Sequence, residues 1–111
     1  MIRATTPIHT FIFSVNPEEV FTEILITYTQ NGTIILEKHK TDLIFGSETS
    51  DNDQILYTAS YRLSQEETKK FDPTIRYVNL QLRCLDVNGH AMATQIRRIS
   101  IYDVLNDEVL I

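Results

Sequence analysis

One segment of this chain has a helical rather than a strand-like pattern, and it limits the folds available. Ser64 is followed three residues later by Glu67, a capping box in which each side chain bonds the other residue's backbone N–H. Asp72-Pro73 then ends the helix, because proline cannot continue it. Parallel strands need a long crossover connection, usually a helix. A single helical turn over residues 64–71 therefore predicts antiparallel strands.

The other segments alternate apolar and polar side chains, as strands with one buried face do. Strands are expected over residues 8–15, 22–30, 33–40, 42–45, 54–63, 75–85 and 90–102. About seven strands predict a single all-β domain over residues 1–111, an immunoglobulin-like antiparallel β-sandwich. Its termini, 1–6 and 103–111, are expected to be extended.

Three further predictions concern turns and strand phase. Asn31-Gly32 is a strong hairpin signal, because a type I′ turn needs positive φ at both positions, and it predicts that Ile34 and Leu36 face the core. The apolar parity changes within the last strand, which predicts a β-bulge near Arg97-Arg98. Residues 46–53 are polar and acidic, and they predict a surface loop.

Composition argues against several classes of function. The formal net charge of −5 disfavours nucleic acid as a partner, since phosphate contacts need a basic patch. Every apolar stretch is too short to span a bilayer, and the first residues lack the apolar core of a signal peptide, so we expect no membrane partner. Cys84, the one cysteine, is expected to be a buried and inert thiol.

The residues indicate no catalytic group and no cofactor, so we expect a protein that is not an enzyme. His9, His39 and His90 lie far apart in the sequence, and surface positions are favoured over zinc ligation. No Gly-rich phosphate-binding loop is present.

The acidic loop offers the weak metal candidates. Glu48, Asp51 and Asp53 supply oxygen ligands of the kind that calcium prefers. The loop lacks the glycine and the distal glutamate of an EF-hand loop, so a solvated loop is favoured and no metal is assigned.

Five residues are candidates for an interface. Val109, Leu110 and Ile111 make the chain end apolar, and they either fold back over the sandwich edge or dock on a neighbouring chain as an added strand. Tyr77 and Tyr102 have an outward phase. They are suited to packing against another subunit or, alternatively, to stacking on sugar rings.

Three segments carry a resemblance to a known group of proteins: residues 5–11, 63–71 and 104–110. Thr27-Tyr28-Thr29-Gln30 and Gln81-x-Arg83 add to it. Together they resemble small proteins of this length that are encoded among the structural genes of tailed bacteriophages and of prophages of Gram-positive gut bacteria. A fainter similarity is to the N-terminal β-sandwich of phage baseplate upper proteins.

The resemblance implies a non-enzymatic virion structural or assembly protein, associated with the tail, baseplate, neck or head. Its partners would be other phage structural proteins or further copies of itself, in the virion and, during assembly, in the host cytoplasm. The chain departs from the usual pattern in its longer acidic insertion at residues 47–53. The alternative function is a β-sandwich module that binds host-surface carbohydrate.

Overall fold

The computed structural model describes residues 1–94 and 96–102 of the chain. The strands are β1 Ile8–Phe13, β2 Phe21–Gln30, β3 Thr33–His39, β4 Ile44–Thr49, β5 Ile55–Arg62, β6 Tyr77–Asp86, β7 Ala91–Ala93 and β8 Arg97–Ser100. The helical segments are α1 Pro17–Val20, α2 Gln65–Lys69 and a 3-10 turn at Lys40–Asp42.

The strands form two antiparallel sheets. The first contains three strands in the order β1-β5-β4, and the second has the order β3-β2-β6-β7, with β8 also pairing with β6. This arrangement confirms the predicted all-β sandwich. The strand order is that of an immunoglobulin-like sandwich, with β1-β5-β4 in the places of strands B-E-D and β3-β2-β6-β7 in those of C′-C-F-G.

The core lies between the two sheets and under α2. Its buried apolar side chains are Phe21, Ile24, Ile26, Tyr28, Leu36, Leu43, Ala59, Tyr61, Leu63, Phe71, Val78, Leu80, Leu82, Cys84 and Ile101. The inward positions of β5 and β6 follow the predicted period of two, since alternate side chains of a strand point to opposite faces.

Helix α2 begins with the predicted capping box. Ser64 Oγ accepts from the Glu67 N–H at 3.1 Å, and Glu67 Oε1 accepts from the Ser64 N–H at 3.0 Å. The helix faces the core through Thr68, whose Oγ1 donates to the carbonyl of Thr5 at 2.9 Å. The helical turn predicted over residues 64–71 is therefore confirmed, as a helix at Gln65–Lys69, and Thr68 ties the N-terminal segment to it.

The hairpin after β2 is confirmed, but one of its inward residues is not the predicted one. Asn31 and Gly32 have φ values of 50° and 78°, as a type I′ turn requires. The pairing changes register between Tyr28 and Thr29, so that Ile34 is 57% exposed. Ile35 packs against the core in its place. The inward phase predicted for Ile34 was wrong, because the extra residue exchanges the two faces.

The loop predicted over residues 46–53 is shorter than expected. Strand β4 continues to Thr49 and pairs with β5 as far as Ile55, so only the turn between them leaves the sheet. The edge strand predicted over 42–45 begins instead at Ile44. Backbone pairing with β5 thus outweighs the polar composition that indicated a loop.

The last predicted strand, 90–102, is interrupted. Ala93 pairs with Arg83 and Arg97 pairs with Leu80, so four steps along the last strand match three along β6. One extra residue is therefore present, as predicted, but it lies before Arg97 rather than at Arg97-Arg98. Thr94 bridges the interruption, since its Oγ1 accepts from the Leu82 N–H at 3.1 Å.

The N-terminal segment lies beside the end of β8. Ile2 forms a parallel bridge with Tyr102, whose carbonyl accepts from the Arg3 N–H at 2.8 Å. The Tyr102 N–H donates to the carbonyl of Met1 at 2.9 Å. The segment predicted as an extended terminus at 1–6 is thus held against the sandwich, whereas 103–111 lies outside the described residues.

Candidate interaction surface

The outer face of the three-stranded sheet carries exposed isoleucine side chains. In β1 the inward positions belong to His9, Phe11 and Phe13, so Ile8 and Ile12 point outward, where they are 56% and 66% exposed. Ile44 on β4 is 71% exposed on the same side of the sheet. Burial of apolar area of this kind is the main favourable term in association.

Small uncharged residues fill the space between these isoleucines. Ser60 of β5 lies between Thr10 and Ile44, and Thr58 lies between Ile12 and Gly46. We call this surface the outer isoleucine face. It consists of Ile8, Thr10, Ile12, Ile44, Gly46, Thr58 and Ser60.

Charged residues on this side of the sheet lie only at its margins. By strand register, Arg62 pairs with Ile8 at one end and Glu48 pairs with Leu56 at the other. Arg62 donates to the carbonyl of Thr6 at 3.2 Å. Centres of interfaces are depleted in charge, and the outer isoleucine face has that property on a chain with 23% charged residues.

A groove runs along the other edge of β1. The second sheet extends past β1 by the width of β7 and β8, and within the described residues no strand lies opposite that extension. The groove has a volume of about 790 Å³ and is lined by β1 together with Leu80, Leu82, Thr94 and residues 97–99. It has the form of a sandwich that lacks one strand of its smaller sheet.

A hydrogen-bonded cluster of one histidine and two tyrosines connects the sheets beside this groove. His9 pairs in register with Tyr61 on β5, and its Nδ1 lies 2.5 Å from the hydroxyl of Tyr28 on β2. The two tyrosine hydroxyls bond each other. The surface position predicted for His9 was therefore wrong, because this residue shares the inward phase of Phe11 and Phe13.

Burial controls the ionisation of this cluster. It raises the pKa of both Tyr28 and Tyr61 far above the ordinary value, so both hydroxyls are neutral. Burial, and then the positive charge of the N-terminal amine, lowers the pKa of His9. The three groups are uncharged at neutral pH and form a structural bridge between the sheets.

An ion pair lies close to the cluster. Lys38 Nζ on β3 is 2.5 Å from Glu67 Oε2, so the capping carboxylate also ties α2 to the second sheet. Burial alone would raise the pKa of Glu67, but the hydrogen bonds from Lys38 and the Ser64 N–H lower it overall. Glu67 is thus engaged in capping and pairing, as expected for a carboxylate with a structural role.

Gln30 is a buried polar residue whose importance the sequence pattern alone did not indicate. Its Oε1 accepts from the Asp72 N–H at 2.7 Å, and its Nε2 donates to the carbonyl of Asp72 at 3.1 Å. The carbonyls of Ile75 and Tyr77 lie within 3.4 Å of the same nitrogen. Gln30 thereby fixes the connection from α2 to β6. Tyr28 and Gln30 both belong to the segment Thr27-Tyr28-Thr29-Gln30 that contributes to the resemblance.

The two tyrosines predicted to point outward do so. Tyr77 and Tyr102 are 48% and 60% exposed. The guanidinium of Arg98 lies 4.9 Å from the centre of the Tyr77 ring, so one face of that ring is already covered. The other interface candidates, Val109, Leu110 and Ile111, lie outside the described residues.

The weak metal candidates do not converge. Glu48 lies on β4, whereas Asp51 and Asp53 belong to the turn before β5. Within residues 1–94 and 96–102, no three His, Cys, Asp or Glu side chains are placed to hold a metal ion.

The remaining candidates have the predicted environments. The side chains of His39 and His90 are exposed. Cys84 is buried, and burial raises its pKa to about 11, as expected of an inert thiol.

Comparisons with known proteins give no family assignment. No family model matches the chain, and neither a curated protein nor a solved structure matches it. In the part of the chain that the structure describes, no helix has the length and apolar character needed to cross a bilayer.

Proposed function

We propose that this chain is a non-enzymatic structural or assembly protein of a bacteriophage or prophage virion, which acts through protein–protein contacts. The observation that carries the contact-based role is the outer isoleucine face, an apolar and uncharged sheet surface with Ile12 on one edge strand and Ile44 on the other. The phage setting rests on the sequence resemblance.

A second copy of the chain is the partner that this face fits best. Each copy has a formal net charge of −5, so two copies repel unless they meet where charge is absent. The outer isoleucine face provides such a surface, and a two-fold axis would stack it on itself. Three short strands give less area than a standard interface, so association through this face alone is expected to be weak and concentration-dependent.

The alternative function, binding of host-surface carbohydrate, lacks a supporting observation. Arg98 covers one face of Tyr77, and among the described residues Glu48, Asp51 and Asp53 do not come together as a group that could hold a metal ion. A test for this alternative is retention on cell-wall polysaccharide, with and without calcium.

Mass spectrometry of purified phage particles tests the proposed function directly. For a phage or prophage whose genome encodes this chain, we expect its peptides in intact virions at a fixed ratio to the major structural proteins. If the protein is expressed during infection but absent both from virions and from isolated assembly intermediates, the proposed function is wrong.

A further inference from the structure

The groove beside β1 has the features of a site for an added strand. One wall of the groove is the edge of β1 that does not pair with β5. The sequence of this strand, Ile8–Phe13, contains no Asp, Glu, Lys, Arg or Pro. Proteins usually protect an edge strand with a lysine, a proline or a bulge, and β1 has none of these. The β3 edge, by contrast, carries Glu37 and Lys38.

The side chains in the groove suit the apolar face of such a strand. Phe11, Phe13 and Ile99 are only partly buried although they pack against the core. An extended segment beside β1 would cover them and would pair with the backbone groups of β1. The smaller sheet would then be four strands wide. The larger sheet has the same width, because β7 and β8 both pair with the same strand, β6.

The edge of a second sandwich cannot fill this position. The larger sheet overhangs β1, so a strand added to β1 lies beneath β7 and β8. A second copy that paired through its own β1 would bring its own overhanging sheet into the same space. The groove therefore accepts a lone extended segment, without a sheet packed on it.

We propose that residues 103–111 of a second copy occupy this groove as an added strand. This inference rests on the proposed function, in which the chain acts through protein contacts. The segment has nine residues, enough to match the six of β1, and its apolar residues are Val104, Leu105, Val109, Leu110 and Ile111. Its acidic residues, Asp103, Asp107 and Glu108, complement Arg97, which lines the groove in register with Leu80.

The position of Tyr102 favours exchange between copies over insertion into the same copy. Tyr102 forms backbone hydrogen bonds with Met1 and Arg3. It lies three residues past Ile99, the last residue of β8 that lines the groove. A chain that continues in the direction of β8 moves away from its own groove and would have to reverse at once to enter it. The same segment from a second copy needs no reversal.

Disulfide trapping in the full chain tests this proposal. Thr10 is an outward residue in the middle of β1, and we combine Thr10→Cys with either Val109→Cys or Leu110→Cys, each with Cys84→Ala to remove the native thiol. Adjacent residues of a strand point to opposite faces, and a disulfide needs Cβ atoms within about 4.5 Å. We expect one of the two pairs to give disulfide-linked dimers in dilute solution and the other to give few.

The matched control places the cysteine one strand further from the groove. Thr58 lies on β5, on the same outer face, so Thr58→Cys with the same partners should not crosslink. A disulfide within a single chain would show that the segment occupies its own groove, and no disulfide with either partner would show that it does not occupy the groove. Both results overturn the proposal.

Failure of this proposal is distinguishable from failure of the proposed function. Trapping is measured on the purified protein, whereas the proposed function is tested by the presence of the chain in virions. Repeating the trapping with Ile44→Lys separates the groove from the outer isoleucine face, since we expect the disulfide-linked dimers to persist. Their loss in this variant would mean that contact through the outer face, and not strand exchange, brings the cysteines together.

Discussion

The hydroxyl groups of Tyr28 and Tyr61 share a hydrogen bond across the interface between the two sheets. The rings meet edge to face at 89°, with Tyr28 on β2 and Tyr61 on β5. Tyr28 also contacts His9 Nδ1, so the bond belongs to a chain that links three strands. Buried hydroxyls are costly when unpaired, and this chain therefore fixes which strands face each other.

Removing the hydroxyls should destabilise the fold unequally. Tyr28→Phe takes the shared partner from both His9 and Tyr61, and we expect a loss of about 2 kcal/mol in the free energy of unfolding. Tyr61→Phe leaves the bond between Tyr28 and His9, so we expect a loss of about 1 kcal/mol. Urea denaturation measures both values. The exposed Tyr77 is the control, since Tyr77→Phe should change stability little. Equal losses in the two buried variants would argue against a chain centred on Tyr28.

The stability of the protein should fall in mild acid because of His9. Its pKa in the folded chain lies below the ordinary value of 6.5, so the unfolded chain binds the proton more readily. The contribution of neutral His9 is complete above pH 6.5 and is lost as the pH falls towards the lower folded pKa. The pKa of Glu67 is lowered from its ordinary value of 4.5, so the contribution of this carboxylate to stability is lost only at a more acidic pH.

Urea midpoints between about pH 5 and pH 7.5 measure this effect, with the native chain compared with two variants. His9→Gln should flatten the dependence over this range. His39→Gln should preserve it, because the His39 side chain is exposed. An unchanged dependence in His9→Gln would assign the acid sensitivity to another group.

Loss of the helix cap should lower stability without affecting association. Ser64→Ala removes the acceptor for the Glu67 N–H, and we expect a loss of about 1 kcal/mol, the usual effect at such a position. Thermal melting gives the change in stability, and light scattering gives the association state. Weaker association at unchanged stability would mean that the segment around Ser64 is itself an interface.

Gln30 should tolerate an added charge poorly. Gln30→Glu keeps an acceptor for the Asp72 N–H but replaces the donor that faces the carbonyls of Asp72, Ile75 and Tyr77. A buried carboxylate facing carbonyl groups should cost at least about 3 kcal/mol. Gln81→Glu is the control, because the Gln81 side chain donates a single bond, to Thr94, at a less buried position. Similar denaturation midpoints for the two variants would contradict the structural role of Gln30.

Local signals predicted those parts of the fold that depend on a few neighbouring residues. The turn at Asn31-Gly32 and the cap at Ser64 follow from backbone geometry, and both are present. The buried thiol of Cys84 follows from strict alternation along β6. The full length of β4 was not predictable in this way, because it depends on pairing with β5 and not on its own polar sequence.

The candidate surface was harder to predict, because β1 has apolar residues on both faces. Phe11 and Ile12 are adjacent and both apolar, and only the position of the second sheet decides which of them is buried. The inward phase of His9 follows from that of Phe11, but an isolated histidine at the start of a strand gives no indication of a partner such as Tyr28, nineteen positions later. Such contacts depend on the packing of the sheets.

The most direct test of the central claim, that the outer isoleucine face mediates association, is sedimentation velocity over a range of concentrations. Ile44→Lys places a charge on this face, and we expect it to abolish the concentration-dependent association through this face while leaving the strand-exchanged dimer in place. Ile34→Lys is the matched control, because Ile34 is a similarly exposed residue on the edge strand of the other sheet. The predicted result is that association beyond the strand-exchanged dimer is lost in Ile44→Lys and retained in Ile34→Lys. Association that is equal in the two variants would contradict the account.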